Sequence, residues 1–179
     1  MSEPVDIDLR ALETVSSLSH ANLASLREAA AVVLDRLQRG VTAEAAALVE
    51  STRAPARDAL VRWPRATAQM RDTHANELNA SEDGAAAVAI AMVPATHGYR
   101  VVRRAFHGSG ADYLMRAAGS ADDDIIRLEV SGIGGSSHPP SRLREKVDEL
   151  RAGALRRPGV AVVVAFSTRP LRILTEYVP

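Results

Sequence analysis

The sequence predicts an α/β fold with a mixed sheet, preceded by an N-terminal helical region. Three observations carry that expectation. Apolar residues recur at intervals of three and four through the Ala-rich first part of the chain. From Tyr99 onward the period shortens to two, with runs rich in β-branched and aromatic residues. The run GVAVVVAF at 159–166 is almost wholly apolar, as a central strand covered on both faces would be. Helices flanking such a strand form the layers of an α/β sandwich.

The elements follow in order. Leu23, Leu26, Ala30, Val33, Leu34 and Leu37 describe a helix capped by Asn22 and stopped at Gly40. Thr42 caps a second helix over 43–50, and Pro55 and Pro64 bound further helical pieces. Residues 65–79 read as a polar helix, which makes residues 1–80 the helical region and 81–179 the α/β core. Ser81, Glu82 and Asp83 open the core's first helix with acids at its positive end, and Gly98 closes it. Strands are expected over 99–106, 111–115 and 124–130. The glycines 108 and 110 allow a bend after the first, and the acidic turn Asp122-Asp123-Asp124 precedes the third. The glycine-rich segment GIGGSS lacks the lysine ending of a phosphate loop. Ser141 caps a helix to about Gly153, the apolar strand 159–166 follows, and LRILTEYV reads as an edge strand.

Composition narrows the chemistry. The chain has 179 residues, enough for one domain or a domain with a helical extension. It has no cysteine, so disulfides, thiol nucleophiles and thiolate zinc sites are excluded. No apolar run reaches the ~18 residues of a membrane span. The first residues lack the basic-then-apolar pattern of a signal peptide, so a cytoplasmic protein without a membrane partner is expected. Basic and acidic residues balance at 22 each, which argues against a surface built chiefly for phosphate. Lys146 is the only lysine, so any chemistry that needs an amine has one candidate.

Two acids stand out. Asp112 follows a glycine bend, and Glu129 lies inside the apolar run IIRLEV. A carboxylate there is costly to bury without a partner. The two lie on adjacent expected strands, about 4.8 Å apart, so their side chains converge if both face one way. Converging carboxylates repel, and a hard divalent cation such as Mg2+ or Mn2+ is the natural compensation. Glu82 offers a further oxygen ligand, and His107 or His138 a base or phosphate contact. Arg127 shares the two-residue period of Glu129, and Arg103 and Arg104 form a basic strand; these are candidate nucleic-acid contacts. A purely structural account stands beside this one. In it Glu129 pairs with Arg127 or Arg103, and Asp112 caps the bend.

The order helix, three strands, helix, strand, with Glu82 on the first helix, Asp112 after GSGA and Glu129-Val130-Ser131 closing the third strand, resembles the PD-(D/E)XK nuclease superfamily. The resemblance spans roughly 81–166 and implies a restriction-endonuclease-like αβββαβ core. It implies metal-dependent cleavage of DNA, with Glu82, Asp112 and Glu129 as metal ligands and membership of a restriction, repair or mobile-element defence system. Ser131 stands where the family's lysine is expected and cannot supply a cation. The candidate replacements are Lys146, reaching back from the next helix, and Arg127, which shares the two-residue period of Glu129 and Ser131 and could project into the cleft. The expectation is therefore a catalytically impaired nuclease-fold protein serving as a scaffold or partner-binding subunit, with DNA, a protein partner, or a second copy docked through the N-terminal helices. The alternatives are an active divalent-metal-dependent endonuclease with a rearranged site, and a small adaptor or immunity-type protein with no nucleic-acid role.

Overall fold

A computed structural model describes residues 3–40, 42–120, 124–135 and 137–179; Asp122 and Asp123 of the expected turn and Ser136 of the glycine-rich segment lie outside the described residues. The elements run β1 (Val5–Asp8), α1 (Leu12–Val15), α2 (His20–Gln38), β2 (Glu44–Ser51), β3 (Arg57–Arg62), α3 (Ala68–Thr73) and α4 (Glu77–His97). Then follow β4 (Tyr99–Arg104), β5 (Tyr113–Ala117), β6 (Ile126–Ile133), α5 (Pro139–Ala152), β7 (Gly159–Ala165) and β8 (Leu171–Val178). All strands join one eight-stranded mixed sheet in the order β1-β3-β2-β8-β7-β6-β5-β4. The pairs β1/β3, β2/β8 and β6/β7 are parallel, and the others antiparallel.

The α/β expectation holds, and from Tyr99 on the expected elements appear within a few residues of their places. The helical reading of residues 1–80 is corrected. Helix α2 is there, but 43–50 forms strand β2, the piece between Pro55 and Pro64 forms β3, and β1 precedes both. Ala-rich EAAALVES has a helix former's composition, yet propensity is a weak prior when pairing is available on both sides. In β2, Ala47 and Val49 alternate into the core, and the strand is bonded to β3 on one edge and β8 on the other. LRILTEYV is likewise no edge strand, because β8 lies between β2 and β7. Its polar positions are satisfied across the sheet, where Arg172 donates from Nε and Nη2 to Glu50 of β2 at 2.6 and 2.9 Å.

Boundaries shift for local reasons. Ser19, not Asn22, caps α2, accepting from the Asn22 amide at 3.4 Å, and Arg39 in a left-handed conformation ends it. The polar stretch 65–79 breaks at His74. Asn76 then caps α4, accepting from the Asn79 amide at 3.0 Å, so Glu82 sits in the second turn rather than at the start. Helices α2 and α4 pack together on one face of the sheet, and their small residues let them approach closely. A Cβ on Gly84 would lie 3.1 Å from the Cα of Ala30. The Ala-rich surfaces expected to dock a partner thus include Ala29, Ala30, Ala31 and Ala85 to Ala87, all buried within this chain. Helix α5 covers the opposite face over β6, β7 and β8. Among the described residues, no helix is long and apolar enough to cross a membrane.

Candidate functional site

The site is built where β6 outruns β5. Their ladder covers only Ile126 to Leu128. Beyond it, the β6 amides facing that side have no strand to bond and would be left unpaired. Two carboxylates take them. The Val130 amide donates to Asp112 Oδ2 at 2.8 Å, and the Gly132 amide donates to Glu82 Oε2 at 3.1 Å. Asp112 is itself anchored, since its amide donates to the Leu128 carbonyl at 3.0 Å. Glu82 reaches β6 because α4 presses against it there. A Cβ on Gly132 would lie 2.0 Å from the Ser81 carbonyl oxygen, so only glycine permits that approach.

Alternation along β6 sorts its side chains. Leu128 and Val130 join the core under α4. Arg127, Glu129 and Ser131 turn to α5 instead, and all three are buried. Glu129, 4% exposed, meets Lys146, 9% exposed: Lys146 Nζ donates to Glu129 Oε1 at 2.7 Å and to Glu149 Oε2 at 2.7 Å. The partner of Glu129 is therefore Lys146, and neither Arg127 nor Arg103. Ser131 accepts from Arg142 Nε at 2.8 Å and donates to Glu82 Oε1 at 3.0 Å, and Arg142 lies 3.5 Å from the same carboxylate. Arg142 and Lys146 are four residues apart on α5, one turn, so the helix presents two cations to one strand.

The carboxyl groups outnumber the ammonium beside them. Burial, then the charge of Asp112, then Glu149 push the Glu129 carboxyl up to about 8 against the pull of Lys146. Burial also raises Asp112, opposed by the Val130 amide. Burial works against the Lys146 ammonium, but the bonds to Glu129 and Glu149 outweigh it and hold the lysine charged. The cluster thus resists full ionisation of Asp112 and Glu129 together.

Asp112 and Glu129 both line an open cleft of about 640 Å3, together with Arg104, His107 and Phe106. A smaller hollow of about 290 Å3 beside it is lined by Asp112, Glu82, Arg104 and Lys146. Arg104 is steadied over the Tyr113 ring at 5.7 Å. Other expected residues fall elsewhere. Arg103 is exposed on the edge strand β4 and lines neither hollow. His138 caps α5 and meets Ser141 at 3.2 Å, in a separate hollow beside Gly132 to Gly135. Arg127 does not enter the cleft, because the Leu150 and Arg157 carbonyls hold its guanidinium. Arg142 and Glu149 were not anticipated; their spacing from Lys146 on one helix face is the signal that points to them.

Among the described residues, no group of three or more acidic or histidine side chains is placed to hold a metal ion. Asp112 and Glu129 remain as a pair of hard oxygen donors already short of positive charge. This suits a cation such as Mg2+, which takes one or two carboxylates and completes its shell with water and phosphate. Glu82 is occupied by Ser131, Gly132 and Arg142. No protein family, curated protein or solved structure matches this chain.

Proposed function

We propose that the Asp112, Glu129 and Lys146 cluster is the centre of a divalent-metal-dependent phosphodiesterase acting on DNA. The observation that carries the reading is the seat of Lys146, whose amine lies 2.7 Å from Glu129. It supplies from α5 the cation that Ser131 lacks. Asp112 and Glu129 would hold Mg2+ or Mn2+, which when bound polarises a phosphoryl oxygen and lowers the pKa of water. Lys146 stabilises negative charge at the same carboxylate, and Arg142, through Ser131, fixes Glu82 against β6. Titration with Mn2+ by calorimetry tests the metal site: the expected result is saturable binding, lost in Asp112→Asn and Glu129→Gln. Cleavage of DNA in Mn2+ is expected for the parent chain and to fall at least a hundredfold in Lys146→Met, the scale on which loss of one transition-state donor acts.

A second reading is the catalytically impaired scaffold. The engagement of Glu82 by three β6 and α5 groups favours it, since that acid is then withheld from a cation. Absence of Mn2+ binding at millimolar metal, together with absence of cleavage, would select this reading over the first.

A further inference from the structure

At the far end of α5 from Arg142, a hollow of about 310 Å3 is bounded by Arg127, Arg151, Arg156 and Arg157, with Pro158, Val178 and Pro179 completing it. Among the described residues, no Asp or Glu side chain lines it. Arg127 is the unusual member. It is only 3% exposed, yet it forms no ion pair with a carboxylate among the described residues. Its Nε donates to the Arg157 carbonyl at 2.8 Å and its Nη1 to the Leu150 carbonyl, which fixes the guanidinium plane. Its Nη2 has no partner among the described residues. A buried charge is normally paired. This one instead has a like charge beside it, for burial and then Arg156 both disfavour its charged form. Arg156 is exposed and its Nη1 is bonded to the Arg151 carbonyl; among the described residues, Arg157 is exposed without an ion pair and Arg151 has only a long contact of 3.5 Å to Asp148. Four guanidinium groups thus surround one hollow with a single weak carboxylate contact among the described residues. Arginine forks match phosphate oxygens in pairs.

We propose that this arginine-lined hollow is a phosphate-binding site for the backbone of DNA. The choice of polymer rests on the phosphodiesterase reading. Arg127 and Glu129 are two residues apart on the same face of β6, about 7 Å between their Cα positions. In that reading the bound strand continues from the arginines toward Asp112 and Glu129.

The test measures binding of a fluorescein-labelled DNA duplex by anisotropy in EDTA across a salt series, so that neither metal nor cleavage enters. The chains are the parent, Arg156→Ala/Arg157→Ala, and the control Arg10→Ala/Arg39→Ala, which removes equal charge elsewhere. Arg156 and Arg157 are exposed, so the double variant keeps the core intact, and circular dichroism checks this. Expected is about a tenfold weaker affinity and a log–log salt slope shallower by about 2 for the double variant, as two lost phosphate contacts give, with the control near the parent. Equal binding by the two variants, or no binding by the parent at low salt, would overturn the site. Cleavage in Mn2+ is read separately. Patch-dependent binding without cleavage leaves the site standing and removes the nuclease reading. Cleavage with an unchanged KM in the double variant does the reverse.

Discussion

The two faces of β6 are made from alternate residues of one strand, yet they obey different physics. Under α4, Leu128 and Val130 are buried among aliphatic neighbours, and every atom there favours burial. Under α5, Arg127, Glu129 and Ser131 are buried to the same degree, but each requires partners: two main-chain carbonyls for Arg127, Lys146 for Glu129, and Arg142 with Glu82 for Ser131. Replacing a buried ion pair with apolar residues is often neutral or stabilising, so stability alone does not account for the second face. The contrast teaches that the first face holds the sheet together. The second holds charged groups in fixed positions against the pull of water.

Leu128→Ala should produce the largest change in stability. Leu128 is fully buried between sheet and helix, and the cavity left behind should cost roughly 2–5 kcal/mol, read as a lower urea midpoint. A loss well under ~1 kcal/mol would mean that the apolar face is not the one that carries the fold. Gly132→Ala comes next. The added methyl would collide with the Ser81 carbonyl, so α4 must move, at about 1–3 kcal/mol. Because Glu82 is carried by the same turn, this variant should also loosen the Ser131 hydroxyl and the Gly132 amide. Faster hydrogen exchange at the Gly132 amide would report it.

How much of this was legible follows the same division. The core face of β6 and the apolar run of β7 were readable, because period and composition agree there and no distant partner decides the outcome. Strand β2 was not readable. Its Ala-rich sequence favours a helix locally, and only β3 and β8, distant in sequence, make it a strand. Misreading β2 also turned β8 into an apparent edge. In the site, Asp112, Glu129 and Lys146 were visible as an acid on a bend, an acid in an apolar run and a lone lysine. The use of Glu82 to cover an open β6 amide was not, because it depends on where β5 leaves the sheet and on how closely α4 approaches Gly132. Arg127 shows the limit of alternation: it gave the correct face, but the helix end that captures the side chain is a tertiary fact.

The sharpest test of the contrast concerns Glu129 itself. Its carboxyl is raised from about 4.5 unfolded to about 8 in the fold, so the native state binds the extra proton. The contribution is fully present below the unfolded value and is lost as pH rises through the folded one, so stability should fall between about pH 4.5 and 8. Raised Asp112 acts in the same direction. Glu129→Gln keeps the shape and removes this group's titration, and should flatten urea midpoints measured across that window. Glu129→Leu goes further. Lys146 keeps Glu149 at 2.7 Å, so no buried ammonium is orphaned, and the variant should be as stable as the parent or up to a few kcal/mol more stable at pH 8. A loss like that of Leu128→Ala would show that the ionic face is structural after all. Unchanged or raised stability with abolished Mn2+ binding would mean that the acid is kept against the interest of the fold, for the ligand it holds.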